Sequence, residues 1–343
     1  MANTEVKTGL TAEEQIALSQ NAKKKHEASL KRGRIISNIV IYIILSVMAI
    51  IWLLPIVWLV LQSLNVEYGS AGLNKLYPEQ WGILNYRDLF ENQYFTGRFR
   101  SNGEPIYAKS AYIFFLKVEN GAVYFGSFFY TLFVAIISSL ISTLFVLATS
   151  YAFSRLRFKA RAGMMRIILL LGMFPGFLGL IVLFEIFNLI GMNENIWSLV
   201  IVYSGGAGMG YYISKGFFDT ISKQIDEAAM IDGATRFQIF YKITLPLAKP
   251  IIVYQVLTSF MGPWAEFMTS NYLLRSPQNG TTHTPATVAP QLQNMLNSDL
   301  QSKNNYWGQF CAGAVIVAIP TSILFLILQK NYVGGVTGGA VKG

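Results

Sequence analysis

The sequence predicts an all-α membrane protein with six transmembrane helices, and three observations carry that prediction. Hydrophobic residues make up 53% of the 343-residue chain and charged residues only 13%, where a soluble domain carries about a quarter charged. Six apolar stretches, about 35–61, 127–151, 164–188, 196–217, 250–274 and 308–329, approach the ~20 residues needed to cross hydrocarbon. Basic residues precede the first stretch and crowd the second connection but are scarce in the third and fifth, an alternation between the two sides.

That alternation sets the orientation. Lys23, Lys24, Lys25, Lys31, Arg32 and Arg34 precede the first stretch, and Arg155, Arg157, Lys159, Arg161 and Arg166 crowd the second connection. The third connection, 189–195, has no Lys or Arg, and the fifth, 275–307, has only Arg275 and Lys303. Positive residues stay on the cytoplasmic side, so both termini are expected inside a plasma (inner) membrane. The net charge of +9 has the same origin, because the basic clusters abut the spans and suit anionic headgroups rather than nucleic acid. Cys311, the sole cysteine, excludes an internal disulfide and a thiolate cluster and reads as a buried thiol. His26 and His283 lie in a tail and an external loop and make no metal site. No Ser/His/Asp or paired-carboxylate arrangement emerges, so no catalytic residue, metal or cofactor is expected in this chain.

Residues 1–33 read as a basic cytoplasmic tail in which Thr11 and Glu14 have capping-box spacing ahead of Ile16 and Ala17. Residues 34–62 form the first membrane helix, a retained anchor without a small-residue cleavage site at its end. An external loop follows over 63–126. Within it Asn120-Gly121 separates IFFLKV from AVYFG, the two-residue signal of a β-hairpin. The core membrane domain spans 127–330. Its fourth apolar stretch contains Ser204-Gly205-Gly206-Ala207-Gly208-Met209-Gly210, a composition for close helix packing or a bend. Glu185 and Glu266 are the acids within or near hydrocarbon, where such groups face a partner or a watery cavity. Trp264 and Glu266 are the candidates for a substrate route; Glu185 reads better as a boundary or paired residue. The fifth connection, with Pro277, Asn279, Gly280, Pro285 and Pro290, reads as a polar external loop.

The connection at 219–250 is the most informative. Residues 227–246 read EAAMIDGATRFQIFYKITLP. Asp226 and Glu227 fall in the first turn of a helix, where carboxylates complement the dipole. Ala228 and Ala229 favour helix and lack bulk, which lets another surface approach the backbone. Gly233, after Asp232, is suited to reverse the chain. A second helix, roughly Ala234 to Ile243, carries Phe237, Phe240 and Tyr241 as an apolar ridge before Leu245, Pro246 and Pro250.

Glu227, Ala228, Ala229, Gly233, Ile243, Leu245 and Pro246 stand at seven fixed offsets that resemble the cytoplasmic coupling loop of the membrane subunit in ATP-binding-cassette (ABC) importers. Leu84-Asn85-Tyr86-Arg87-Asp88-Leu89-Phe90 is similar to an external segment of sugar-importer permeases. Residues 331–343 form a Gly-rich cytoplasmic tail whose ending, Gly338-Gly339-Ala340-Val341-Lys342-Gly343, resembles the tail of maltose-type permeases. It is not a phosphate-binding loop, since Val341 precedes the lysine and the sequence given stops one residue after it. Trp264-Ala265-Glu266-Phe267 approximates a Trp-Asn-x-Phe pattern of these proteins, with Ala265 in place of the amide. The resemblance covers roughly 35–90 and 127–343.

It implies a type I ABC importer permease fold and a role in carbohydrate import, of a di- or oligosaccharide, as the second membrane subunit. It also implies a partner permease, two ATPase subunits that use ATP and Mg, and an extracytoplasmic sugar-binding protein. Glu227, Ala228, Ala229, Asp232, Gly233, Leu245 and Pro246 are then ATPase-coupling residues, and Gly338, Gly339 and Lys342 of the tail also contact the ATPase, the glycines as a flexible thread. A non-sugar solute such as a peptide is the alternative cargo, because the coupling loop is shared across substrate classes. An ion-driven carrier would need more buried ionisable groups and internal repeats. An intramembrane enzyme would need a catalytic pair.

Overall fold

The computed structural model describes residues 12–67, 76–109, 113–119, 121–173, 176–205, 208–274, 286–297 and 306–340. Thr11, Asn120, residues 206–207, His283 with the rest of 275–285, and Lys342 lie outside these, as do the expectations placed on them. The chain divides into two compact units, one reaching to Leu59 and the other beginning at Val60.

The first unit consists of most of helix α1 (Ala12–Ser63). Its continuous Ile, Leu and Val run holds an apolar stretch at Leu30–Ser63, with residues such as Ile39, Leu45 and Trp52 exposed. A helix apolar on every side fits hydrocarbon or a partner helix rather than water.

The second unit opens with helix α2 (Leu84–Glu91) and two antiparallel hairpins, β1 (Gln93–Phe99) with β2 (Pro105–Lys109) and β3 (Leu116–Glu119) with β4 (Ala122–Phe125). The hairpin expected beside Gly121 is β3–β4, paired Leu116 to Phe125, and Gly121 has φ +78°. The β1–β2 hairpin was not anticipated, although Asn102-Gly103 gives the same turn signal and Gly103 has φ +82°. Asp88 and Asn85 are buried in this cap of α2 and the two hairpins. Asn85 Nδ2 donates to the carbonyls of Ser63 and Asn65 at 3.1 and 2.7 Å.

The membrane core follows as α3 (Ser127–Arg155), α4 (Arg161–Met173), α5 (Gly176–Leu189), α6 (Ile196–Gly205), α7 (Gly208–Thr220) and α8 (Lys223–Ile231). After a turn come α9 (Arg236–Gln238), a π-helical segment at Ile239–Thr244, α10 (Leu245–Leu247), α11 (Lys249–Ala265), α12 (Met268–Leu274), α13 (Val288–Asn297) and α14 (Tyr306–Ala340). Helix α3 is central and packs against α6, α7 and α11, while α11 also packs against α14. Small buried residues on α3, among them Ser138, Ser142, Ser150 and Ser154, permit that close approach. Cys311 is a buried free thiol.

The structure adds detail to the apolar stretches and corrects two readings, of the 275–307 connection and of the tail. Among the described residues, three helices are long and apolar enough to cross a membrane alone, and five if each bent pair counts as one span. The third stretch is described as α4, to Met173, and α5, from Gly176, and the fourth as α6, to Gly205, and α7, from Gly208. The fifth ends at Ala265 because Glu266 is extended (ψ 119°), three residues after Pro263. The loop at 275–307 contains α13, whose Val288, Leu292 and Met295 are buried in the core with Phe114 and Trp264. An i, i+4, i+7 stripe within a proline-bearing segment was the missed signal. The Gly-rich tail is helical rather than a thread: α14 continues through Gly338 and Gly339 to Ala340. Glycine weakens a helix without forbidding it, and the preceding turns supply the template.

Candidate functional site

Residues 219–250 fold into a helical hairpin whose inner side is gripped by α3. Ser222 caps α8, its hydroxyl accepting the amide of Gln224 at 3.3 Å. Asp226, in the first turn, points inward; its Oδ2 lies 3.0 Å from Arg155 Nε, with side chains 8% and 2% exposed. The contact is an ion pair without the alignment of a hydrogen bond. Removing one partner of such a pair costs about 3–5 kcal/mol, since the other charge is left stranded. Glu227 and Ala228 are exposed, whereas Ala229 is buried within this chain, which corrects the expectation that both alanines are open to another surface.

Asp232 ends the helix with its amide on the carbonyl of Ala228, and Gly233 reverses the chain at φ +83°. A Cβ on Gly233 would meet nothing within 4 Å, so the backbone angle and not space requires glycine. The returning arm opens with a capping box in which Thr235 accepts from the Gln238 amide and Gln238 accepts from the Thr235 amide, at 3.3 and 2.8 Å. The Thr-x-x-Gln spacing was readable in the sequence and was overlooked. The expected ridge then splits. Phe240 turns in against Tyr151, ring centroids 4.7 Å apart, while Phe237 and Tyr241 pair at 5.2 Å on the surface. Ile231, Phe237 and Tyr241 are 87, 71 and 43% exposed, an apolar patch beside Glu227 in the hairpin. Leu245 is half-buried and Pro246 exposed.

Asp219 sits where the hairpin leaves α7. Burial opposes its charge, but hydrogen bonds from Lys215 Nζ at 2.5 Å and Ser154 Oγ at 2.6 Å outweigh burial and hold its carboxyl below the usual range.

A cavity of about 650 Å³ is lined by residues including Ser142 of α3, Tyr203 of α6, Tyr254, Gln255 and Ser259 of α11, and Glu266 just beyond α11. Glu266 Oε2 accepts from the Tyr203 hydroxyl at 2.8 Å, and both its carboxyl oxygens accept from the Thr269 amide at 3.0 Å. Gln255 Nε2 donates to Ser259 Oγ at 2.8 Å. Trp264 is not on this wall: it packs in the core against Phe128 and Phe260. Glu185 is exposed on α5. Tyr203, the partner of Glu266, gave no sequence signal because it comes from a distant helix.

Residues 145–337 match the family described as binding-protein-dependent transport system inner membrane component. The galactooligosaccharides transport system permease protein GanQ of Bacillus subtilis (strain 168) is 32% identical over 317 residues, covering 92% of this chain and 99% of that protein. The maltodextrin transport system permease protein MdxG of the same organism is 30% identical over 313 residues, 91% of this chain and 98% of its own length. Among solved structures, a bacterial ABC transporter involved in the import of the acidic polysaccharide alginate has a chain that superposes with a TM-score of 0.63. It is 22% identical and covers 86% of this chain and 96% of its own. The family match and the aligned relatives define a helical membrane transport component. The chain belongs to the family of binding-protein-dependent transport system inner membrane components.

Proposed function

We propose that this chain is one of two permease subunits of an ATP-driven importer that moves a di- or oligosaccharide delivered by an extracytoplasmic binding protein. The observation that carries the reading is the hairpin: its inner face is bonded to α3 by Arg155–Asp226, while Glu227, Ala228 and an apolar patch are left open. Such a surface fits a groove on an ATPase subunit, with Glu227 toward a basic partner residue. The basic flanks of the spans support a cytoplasmic position for it and for both ends of the chain. Gly338, Gly339 and Lys342 are a second ATPase contact. This chain binds no cofactor of its own, and ATP with Mg is used by the ATPase. Sugar as cargo is supported by the names of relatives aligned over nearly their whole lengths. The hydroxyl, amide and carboxyl groups on the cavity wall suit a polyhydroxylated solute. Glu266 is the pathway residue we retain; Trp264 acts behind it as packing.

The test is Glu227→Lys in the complete transporter. A charge-assisted interface contact is worth about 1.5–3 kcal/mol, so ATPase recovered with the membrane subunits and sugar uptake should both fall by at least about tenfold. Uptake at the native rate would defeat the assignment. A transporter that carries peptides and no saccharide would keep the hairpin's role and remove the sugar.

A further inference from the structure

We propose that the buried Arg155–Asp226 ion pair is the joint through which movement of the hairpin reaches α3, and through α3 the cavity wall. The proposal deepens the ATPase-contact reading and rests on it. Three polar contacts converge on the last turn of α3: Arg155 Nε to Asp226 at 3.0 Å, Arg155 Nη2 to the Ile221 carbonyl at 2.8 Å, and Ser154 Oγ to Asp219 at 2.6 Å. Tyr151, one turn earlier on the same face, holds the returning arm through Phe240. Both arms of the hairpin are therefore anchored to one helix end. The apolar contact tolerates sliding. The ion pair does not, because separating it leaves two charges in surroundings that cannot solvate them, so α8 and α3 must travel together. Ser142, on the cavity wall, lies thirteen residues earlier along the same helix, about 20 Å at the helical rise. Arg155 and Asp226 are positioning residues here, acting on the route without touching cargo.

The experiment uses the full transporter complex and three variants: Asp226→Asn, Arg155→Gln, and the double Arg155→Gln/Asp226→Asn. The double variant strands no charge, so complex recovery should match the native protein. Sugar uptake per ATP hydrolysed should still fall by about tenfold, within the range of couplings between distant sites. Recovery together with native uptake per ATP would overturn the proposal and leave the pair a packing feature. A double variant that fails to assemble would overturn it as well, by assigning the pair to folding. Glu227→Lys run in parallel separates the two readings. Loss of ATPase there, with native stoichiometry in the double variant, removes the joint alone; no loss there removes the hairpin contact beneath it.

Discussion

At the scale of single residues, backbone geometry makes sharper demands than side-chain chemistry. Gly233 holds a left-handed conformation in open space, so Gly233→Ala should cost about 1–2 kcal/mol. Gly233→Asp should uncouple ATP hydrolysis from uptake while leaving the membrane helices folded, as thermal unfolding of the purified complex would show. Gly126 is the opposite case. A Cβ there would stand 2.4 Å from the backbone carbon of Phe114, which is not free to give way. Gly126→Ala should destabilise the cap of α2 and the two hairpins by about 1–3 kcal/mol, seen as a lowered melting temperature. The sequence pointed to Gly233 because its neighbours form a spaced pattern. Nothing local marks Gly126, whose constraint comes from the backbone of Ile113 and Phe114 just ahead of β3.

At the scale of elements, the cap of α2 and the two hairpins contains a carboxyl group in an unfavourable place. Burial pushes Asp88 above the usual carboxylate range, although hydrogen bonds from Gln93, Arg87 and Gln309 partly offset it. A raised value means that the folded state holds the proton more tightly than the unfolded one. The cap is then most stable below the ordinary carboxylate value and loses stability as pH rises through the folded one. Asp88→Asn should flatten that dependence in melting curves taken from about pH 4 to 7. The elements most legible beforehand were those with local signals, namely the β3–β4 hairpin, the acidic first turn of α8 and the left-handed reversal. Helix α13 was hidden by Pro290 and its polar neighbours, and the extended backbone at Glu266 that ends α11 was hidden because hydropathy averages over it. Pairings such as Arg155 with Asp226 join residues 71 positions apart (226 − 155), which no window over the sequence reports.

At the scale of the whole molecule, α3 is the element that touches every functional region described. It contributes Ser142 to the cavity, Tyr151 and Arg155 to the hairpin, and Thr131, whose hydroxyl accepts the amide of Val288, to the contact with α13. On the reading that the cavity is part of the sugar route, Glu266→Gln retains the shape and the amide contacts. It should change apparent affinity more than maximal uptake rate, by about tenfold in transport assays over a range of sugar concentrations. Tyr203→Phe removes one donor to that carboxyl group and should shift affinity in the same direction by less. Equal loss of rate and affinity in both would place them in the moving scaffold instead.

The π-helical turn at Ile239–Thr244 has a geometric corollary. A turn that closes five residues on instead of four, as Leu245 N–H to Phe240 C=O does, carries one surplus residue relative to an α-helix. Deleting a single residue there would restore regular winding and spin everything upstream by about 100° about the axis of the arm. The aromatic couple and the carboxylate would then look away from any docked motor, though every side chain in the motif survived. The azimuth of the docking face is thus written in chain length, and a one-codon deletion should silence the transporter as thoroughly as loss of Glu227.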